Sequence, residues 1–361
     1  MKRILALSGG GVRGAVEVAF LEAIEAHYRK LGHDSLADVY DLVGGTSTGA
    51  LVATAISLGQ PVSEIARFYT EKAPRLFGKS RGGLARLFKP AFDSRILEDE
   101  IRGEVGDLTL GAPELRTYLG IVTKRLDTGA PWILSNIPSA PYFEDDPAEG
   151  FIGNKHYELA KLLRASSAAP TLFQQQTIKV APNEAPGVFV DGGASPYNDP
   201  SMALLLLARA KAFGLEWPLG VANLSITSVG TGTYRRRLPR EIAAKAPPWQ
   251  ITKETLLGMI NDNEAQALTM MQWMGQSPQP ERLNSEIGTL DGETLFGEPA
   301  FHFQRLDLPI GYAALRSAGV EVTEAEVRRF ETIEDPKVIP RLMEVTRAYC
   351  ANTYDLDALL V

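Results

Sequence analysis

One serine in this chain stands between glycines at the spacing that exposes a nucleophile. Ser47 lies in residues 45–49, Gly-Thr-Ser-Thr-Gly, after a predicted buried strand and before a predicted helix. Glycines two positions on either side permit a tight, strained turn that presents the hydroxyl at a helix N-terminus. There the helix dipole favours the negative charge that develops during attack on a carbonyl. The pattern indicates a serine nucleophile, and a strand-to-helix turn with a capping serine is the alternative.

A serine hydroxyl reacts well only when a neighbouring base takes its proton. Asp191 follows the apolar residues 188–190, and dry surroundings of this kind raise the pKa of a carboxyl toward the range useful for a base. His302, in a predicted strand, follows Ser47 and Asp191 in the order Ser, Asp, His that α/β-hydrolases use. The residues alone therefore leave open a Ser47–Asp191 dyad and a Ser47–Asp191–His302 triad.

Two further glycine-rich turns accompany the serine, at residues 9–14 (Gly-Gly-Gly-Val-Arg-Gly) and at residues 191–193 (Asp-Gly-Gly). The first fits the Gly-x-Gly-x-x-Gly pattern of dinucleotide-binding folds. Such a site also needs an acidic residue at the end of the second strand, where this chain has Gly-Thr-Ser-Thr-Gly. A nucleotide-binding P-loop needs Lys and Ser or Thr where this chain has Ala50 and Leu51. The pattern therefore disfavours NAD binding and nucleoside triphosphate hydrolysis.

Strand and helix patterns alternate along the chain. The apolar runs predict strands at Ile4–Leu7, Val39–Val43, Tyr118–Val122, Trp132–Ser135, Val188–Val190, Leu224–Val229 and Phe301–Leu306. Helical spacing predicts helices at Ala15–Tyr28, Ala50–Leu58, Tyr157–Arg164, Met202–Phe213, Ile251–Met274, Glu324–Phe330 and Pro336–Asn352. This alternation predicts an α/β fold, a three-layer α/β/α sandwich around a mainly parallel sheet. Each glycine-rich turn then lies at the carboxyl edge of the sheet, where α/β proteins bind ligands.

Composition narrows the class of protein. The 361 residues carry 37 basic and 44 acidic side chains, a net charge of −7, which argues against a nucleic acid polymer as partner. A single cysteine, Cys350, excludes an internal disulfide and fits a reducing, cytoplasmic location. The apolar stretches are shorter than the roughly 20 residues that span a bilayer, so we expect only peripheral membrane contact. We predict one domain, 1–361.

Four blocks, in this order, resemble those of the patatin-like phospholipase family. They are the glycine loop at 9–14, the serine turn at 45–49, the small-residue run Ala-Ser-Ser-Ala-Ala-Pro at 165–170, and the Asp-Gly-Gly turn at 191–193. The resemblance covers residues 4 to about 200, a catalytic core that we place at about 4–205. It implies a patatin-like fold and a phospholipase A type of lipid acyl hydrolase with a Ser-Asp dyad, no metal and no cofactor. Residues from about 206 to 361 carry no matching motif and are expected to complete the fold.

Carried over residue by residue, the resemblance assigns roles at this edge of the sheet. It implies Ser47 as nucleophile and Asp191 as general base. The backbone N–H groups of three loop glycines would form the oxyanion hole, namely those of Gly9, Gly10 and Gly11. Arg13 would bring positive charge to an anionic head group of the substrate. The remaining motif glycines are Gly14, Gly45, Gly49, Gly192 and Gly193.

The expected partner is a phospholipid membrane surface at the inner face of the membrane. Residues 72–92 hold six basic side chains, several apolar ones and no acidic one, so we hypothesise a lid or docking segment for anionic lipid. Residues 235–237, Arg-Arg-Arg, suggest a phosphate contact or an ordinary surface. Some bacterial members of the family are antiphage effectors that a cyclic oligonucleotide switches on, and the C-terminal part is the hypothetical place for such control. The alternatives are acyl transfer and a non-catalytic lipid- or nucleotide-binding protein.

Overall fold

The computed structural model describes residues 1–76, 90–146, 148, 150–234 and 238–360. In these ranges eight strands form one sheet. The strands are β1 Lys2–Leu7, β2 Leu42–Thr46, β3 Tyr118–Arg125, β4 Pro131–Ser135, β5 Gln176–Ile178, β6 Gly187–Asp191, β7 Leu224–Val229 and β8 His302–Leu306. The sheet order is β5-β6-β3-β2-β1-β7-β8, and β4 pairs with β3 beside this path. The pairs of β1 with β2 and β7, of β2 with β3 and of β7 with β8 are parallel.

Helices cover the sheet on both faces. They are α1 Gly14–Lys30, α2 Thr48–Ser57, α3 Val62–Glu71, α4 Ala73–Leu76, α5 Ser94–Val105, α6 Leu159–Ser166, α7 Ser201–Arg209, α8 Arg240–Ala243, α9 Pro248–Met274, α10 Tyr312–Ser317, α11 Glu324–Phe330, α12 Ile339–Thr353 and α13 Leu356–Leu359. None of the helices in the ranges given above is long and apolar enough to cross a membrane.

The central strand β1 shows why both faces need helices. Successive side chains of a strand point to opposite faces of the sheet. Leu5 and Leu7 pack in the core that α1, α2 and α6 cover, whereas Ile4 and Ala6 pack in a second core with side chains of α7 and the end of α9. A strand buried on both faces is typical of a parallel sheet between two helix layers. The predicted three-layer α/β architecture is confirmed.

Strands β2 and β6 follow each other along one edge of β3. Strand β2 pairs with β3 as far as Thr46 opposite Val122, and β6 takes the next position, with Asp191 opposite Thr123. Strand β4 pairs with residues 120–124 and so occupies the other edge. Because β6 is antiparallel to β3, the carboxyl ends of β2 and β6 meet head to head. The Asp191 turn therefore ends an antiparallel strand of the mainly parallel sheet, and it lies beside the carboxyl end of β2.

Other boundaries differ from the predicted ones for local reasons. The strand predicted at Val39–Val43 begins at Leu42, because residues 36–38 form a 3-10 turn capped by Ser35. Helices α3 and α5 lie where no element is predicted. Strands β7 and β8 come from beyond residue 205 and pair beside β1 and each other, so the sheet continues through both parts of the chain.

Candidate active site

The turn between β2 and α2 places Ser47 in a conformation that side chains rarely adopt. Its φ is +55° and its ψ is −124°. A Cβ at Gly45 would lie 2.2 Å from the backbone of Gly49, and a Cβ at Gly49 would lie 2.4 Å from the carbonyl oxygen of Leu7. Only glycine fits either position without moving the backbone. Strain of this kind at a strand-to-helix turn is the property of a nucleophile elbow.

The hydroxyl of Ser47 meets the carboxyl of Asp191 directly. Ser47 Oγ donates to Asp191 Oδ2 at 2.7 Å, and Asp191 Oδ1 accepts from the N–H of Gly193 at 2.7 Å. Burial raises the pKa of Asp191 to about 6, although these two hydrogen bonds and the charge of Arg164 act to lower it. A carboxyl with this pKa is a stronger base near neutral pH than an exposed aspartate.

The small-residue run at 165–170 holds both halves of this pair. The hydroxyl of Ser166 accepts from the N–H of Ser47 at 2.8 Å and donates to the carbonyl of Val122 at 2.6 Å. The carbonyl of Ala168 accepts from the N–H of Asp191 at 3.1 Å. Larger side chains would separate these backbones, so the run acts as a spacer between the serine turn and the aspartate turn. The sequence analysis identified the run at 165–170 but predicted none of these hydrogen bonds.

The three loop glycines use their N–H groups differently. The N–H of Gly10 donates to the hydroxyl of Thr48, the residue after Ser47, at 3.2 Å. The N–H of Gly11 has no acceptor in the part of the chain that the structure describes. The N–H of Gly9 donates to the carbonyl of Asn198 at 3.1 Å. The backbone carbonyl that accepts from Gly9 is fixed, whereas the acceptor of Gly10 is a side-chain hydroxyl, so the oxyanion role of each glycine stays a prediction.

A family model described as Patatin-like phospholipase matches residues 5–205, more than half of the chain. The chain belongs to the patatin-like phospholipase family. The match ends near residue 205, so it includes the serine turn, the spacer run and the aspartate turn. It leaves β7, β8 and α9 outside.

Two potato patatins illustrate the relationship. Patatin group J-1 of Solanum tuberosum is 28% identical over 269 residues, which are 69% of this chain and 65% of the relative. The chain thus spans just under two thirds of that protein's length. Patatin group D-3 of the same species is 25% identical over 319 residues, 81% of this chain and 78% of the relative. Among solved structures, human GIVD cytosolic phospholipase A2 aligns with a TM-score of 0.49 and 14% identity, over 98% of this chain and 58% of that one.

Arg13 of this patatin-like chain is engaged with the C-terminal part of the protein. Its Nη1 donates to the carbonyl of Gly232 at 3.1 Å, and its guanidinium lies 4.9 Å from the ring centre of Tyr234. The side chain is half-buried. A role at an anionic head group stays a prediction.

The histidine of the triad alternative lies elsewhere in the patatin-like fold. His302 is the first residue of β8, three strands from β2, which corresponds to roughly 14 Å across the sheet. It pairs with Ser225 near the amino end of β7, whereas Ser47 follows the carboxyl end of β2. Its Nδ1 lies 3.4 Å from Ser225 Oγ, and burial lowers its pKa. The Ser47–Asp191–His302 triad is therefore wrong.

Two basic segments singled out in the sequence lie largely outside the described residues. The structure does not describe residues 77–89, which are the centre of the predicted docking segment. It does not describe residues 235–237 either. At the ends of the first segment, Lys72 pairs with Glu104, and Phe92 is buried. In the described ranges no group of three or more His, Cys, Asp or Glu side chains is placed to hold a metal ion.

Several residues near the site carry no sequence signal. Arg164 is almost fully buried, and burial lowers its pKa to about 10 while its charge acts on Asp191. Asn198 contacts both the glycine loop and the aspartate turn. Arg305, in β8, is buried with carboxylates on either side. A buried Arg or Asn becomes recognisable only when its partners from other strands are known.

Proposed function

We propose that this protein is a serine lipid acyl hydrolase of the phospholipase A type, with Ser47 as nucleophile and Asp191 as general base. The observation that carries the proposal is the 2.7 Å hydrogen bond from Ser47 Oγ to Asp191 Oδ2 at a strained elbow. Membership of the patatin-like phospholipase family supports the substrate class. The N–H groups of Gly10 and Gly11 are the proposed oxyanion-hole donors, and Gly10 would exchange the Thr48 hydroxyl for the oxyanion when substrate binds.

The first step transfers the acyl group to the enzyme. Ser47 Oγ bonds to the ester carbonyl carbon while its proton passes to Asp191 Oδ2. The carbonyl oxygen becomes an oxyanion, and donors fixed beforehand in a dry site stabilise it strongly. The bond from carbon to the leaving oxygen then breaks, and Asp191 returns the proton to that oxygen. A lysolipid or alcohol leaves, and the acyl group remains as an ester of Ser47.

The second step uses water in place of the alcohol. Asp191 takes a proton from a water molecule as the water oxygen bonds to the acyl carbon. The carbon–Oγ bond then breaks, Asp191 returns the proton to Ser47 Oγ, and a fatty acid leaves. One carboxyl serves as base and then as acid in both halves, which suits a pKa near 6 better than one near 4.

Membrane phospholipids are the proposed source of the ester. The family supports a lipid substrate. We propose that the protein meets the membrane surface peripherally, at the inner face in the cell. Activation by a cyclic oligonucleotide and an antiphage role stay predictions from the resemblance.

Fatty-acid release from vesicles of mixed zwitterionic and anionic phospholipids tests the proposal. We expect release by the wild-type protein and a fall of about 10³-fold or more for both Ser47→Ala and Asp191→Asn, because nucleophile and base act as one unit. The same assay with a panel of cyclic dinucleotides tests the proposed activator. Equal rates with and without each nucleotide would remove that ligand from consideration.

Ser201→Ala is the matched control. Ser201 is another buried serine at the start of a helix, and its hydroxyl has no partner within the described ranges. This variant should retain wild-type release. If wild-type protein releases no fatty acid and a fluorophosphonate leaves Ser47 unlabelled, the hydrolase proposal fails in favour of a lipid-binding protein. If label attaches and the acyl group passes to an added alcohol in preference to water, acyl transfer is the function.

A further inference from the structure

Asn198 forms hydrogen bonds with both the backbone N–H and the backbone carbonyl of Gly9. The Asn198 carbonyl accepts from the Gly9 N–H at 3.1 Å, and Asn198 Nδ2 donates to the Gly9 carbonyl at 3.1 Å. The side chain also fits between two motif glycines. A Cβ at Gly9 would lie 2.5 Å from Asn198 Oδ1, and a Cβ at Gly193 would lie 2.7 Å from the same atom. Asn198 therefore joins the glycine loop to the turn that carries Asp191.

The direction of the Gly9 carbonyl decides the direction of the next N–H. In a planar trans peptide the C=O of one residue and the N–H of the next point in opposite directions. The chain has no cis peptide bond in its described part. Holding the Gly9 carbonyl toward Asn198 therefore turns the Gly10 N–H the other way. That N–H points to the hydroxyl of Thr48, beside Ser47.

Two residues of the C-terminal part support this arrangement, Thr231 at the Gly9 carbonyl itself and Glu264 at the Asn198 amide. Thr231 Oγ1 donates to the Gly9 carbonyl at 2.9 Å, and its side chain packs where a Cβ of Gly10 would lie. Glu264, on α9, accepts from Asn198 Nδ2 at 2.6 Å. A primary amide has two hydrogens. One goes to Gly9 and the other to Glu264, so Glu264 fixes which way the Asn198 amide faces.

A buried ion pair anchors the neighbours of both residues. Arg305 Nη1 donates to Ser8 Oγ at 3.0 Å and to Asp199 Oδ2 at 2.9 Å. Ser8 precedes Gly9, and Asp199 follows Asn198. The two backbone segments are thus held together from strand β8 as well as from α9.

We propose that Glu264, Asn198 and Thr231 form a clamp that orients the Gly9–Gly10 peptide so that the Gly10 N–H serves as an oxyanion donor. The three are positioning residues and act through the Gly9 carbonyl. This inference rests on the proposed function for its catalytic meaning. It assigns a task to residues outside the matched region 5–205, since Thr231 and Glu264 both lie beyond it.

The kinetic test uses Thr231→Val and Glu264→Ala with a soluble ester and a trifluoromethyl ketone, which forms an oxyanion on the serine. We expect about a tenfold lower kcat in each variant, because losing an entire oxyanion donor costs about 10²–10³ and misorienting one costs less. KM should stay within about twofold, and ketone inhibition should weaken as kcat falls. The acid limb of the pH profile should keep its midpoint near 6, because the dyad is untouched.

Conservative variants and a control on the same helix separate this role from general damage. Thr231→Ser keeps the hydroxyl donor and Glu264→Gln keeps an oxygen acceptor, so both variants should have a kcat close to that of wild type. Asp262→Ala removes an exposed carboxylate of α9 and should behave as wild type. If kcat falls as much in Asp262→Ala as in Glu264→Ala, the proposal is overturned.

Hydrogen exchange of residues 8–14 tests the clamp without turnover. We expect faster exchange in Thr231→Val and Glu264→Ala than in wild type and Asp262→Ala. Wild-type exchange in both variants would overturn the clamp, whatever the kcat. Faster exchange with unchanged kcat would overturn its catalytic role. Faster exchange in a protein that hydrolyses no ester would support the clamp and overturn only the proposed function.

Discussion

Residues 5–205 and the residues after them contribute to the site in different ways. The first region holds all four motif blocks, and it places Ser47 against Asp191. The second has no motif, yet Thr231 and Glu264 reach the glycine loop from it. The turns that carry Ser47 and Asp191 demand particular residue types at particular spacings, because their backbones leave no room for most side chains. Supporting contacts need only a donor or acceptor at the right point, which many residues can supply.

Two buried groups, one from each region, also differ in how their charge is compensated. Asp191 is buried against neutral donors, and its pKa rises to about 6. Arg305 is buried with Asp199 at 2.9 Å and Asp307 at 3.0 Å. Burying a charge without a partner favours its neutral form, whereas a hydrogen-bonded pair keeps both charges. Asp191 is therefore a carboxyl ready to exchange a proton, whereas Arg305 is held in a fixed ion pair that joins Asp199 of the N-terminal region to Asp307 of the C-terminal region.

The largest effect on stability should come from breaking that ion pair. Arg305→Met removes the cation between Asp199 and Asp307, and removing one partner of a buried pair typically costs about 3–5 kcal/mol. Urea unfolding of the variant should show this loss in the free energy of unfolding. Arg328→Ala breaks an exposed pair with Glu324 and should cost less than about 0.5 kcal/mol. Equal losses in the two variants would contradict the contrast between fixed and exposed pairs.

The next effect is a gain in stability from neutralising Asp191. Its pKa is about 6 in the folded protein against 3.8 ordinarily, so the folded state binds more protons between these values. The free energy of unfolding therefore falls as pH rises from about 4 to about 7, by up to about 3 kcal/mol. Asp191→Asn should lose this part of the fall and be more stable than wild type at pH 8, while the buried carboxyls of Glu17, Glu264 and Glu281, whose pKa values burial also raises, keep their own part. Chemical unfolding at both pH values measures the difference.

Ser47→Ala is the control for this stability prediction. It removes the donor to Asp191 but leaves the carboxyl buried, so the fall in stability with rising pH should persist. Asp191→Asn with the same pH dependence as wild type would show that another group causes the fall.

The same carboxyl should set the pH dependence of the reaction. Asp191 accepts a proton only when ionised, so kcat/KM should fall about tenfold per pH unit below about 6. Above pH 7 Asp191 is ionised, so the rate should be flat there. Initial rates with a soluble ester from pH 4 to 9 measure the profile. A midpoint near 4 would contradict a buried base.

The smallest effect separates a required glycine from a dispensable one. Gly258 lies inside α9, and no atom comes within 4 Å of where its Cβ would be. Gly258→Ala should stabilise the protein by about 0.5–1 kcal/mol, because alanine favours a helix over glycine, and leave activity unchanged. Gly49→Ala, with its Cβ 2.4 Å from the Leu7 carbonyl oxygen, should destabilise it. Thermal unfolding of both variants makes the comparison.

Much of the fold follows from local patterns. The apolar runs and glycine stops locate β1, β3 and β7 closely, because a strand buried on both faces has few polar positions. The strand before Ser47 begins three residues later than predicted, at Leu42, because the apolar Val39 and Tyr40 are buried without pairing. The spacing of apolar residues shows which side chains are buried. It does not show which backbone N–H and C=O groups form hydrogen bonds to a neighbouring strand.

The sequence by itself determined the serine turn, the aspartate turn and the layer order. The glycines around Ser47 and the alternation of strands and helices are local requirements, so they are visible in the chain. Only the tertiary structure decided which partner Ser47 meets. Strand β6 runs antiparallel into the end of β2 and delivers Asp191, while His302 lies three strands away. The orientation of the Gly9 carbonyl also depends on contacts more than 180 residues distant in sequence, from Asn198 and Thr231. Such contacts leave no local pattern, because their partners are set by strand order and register.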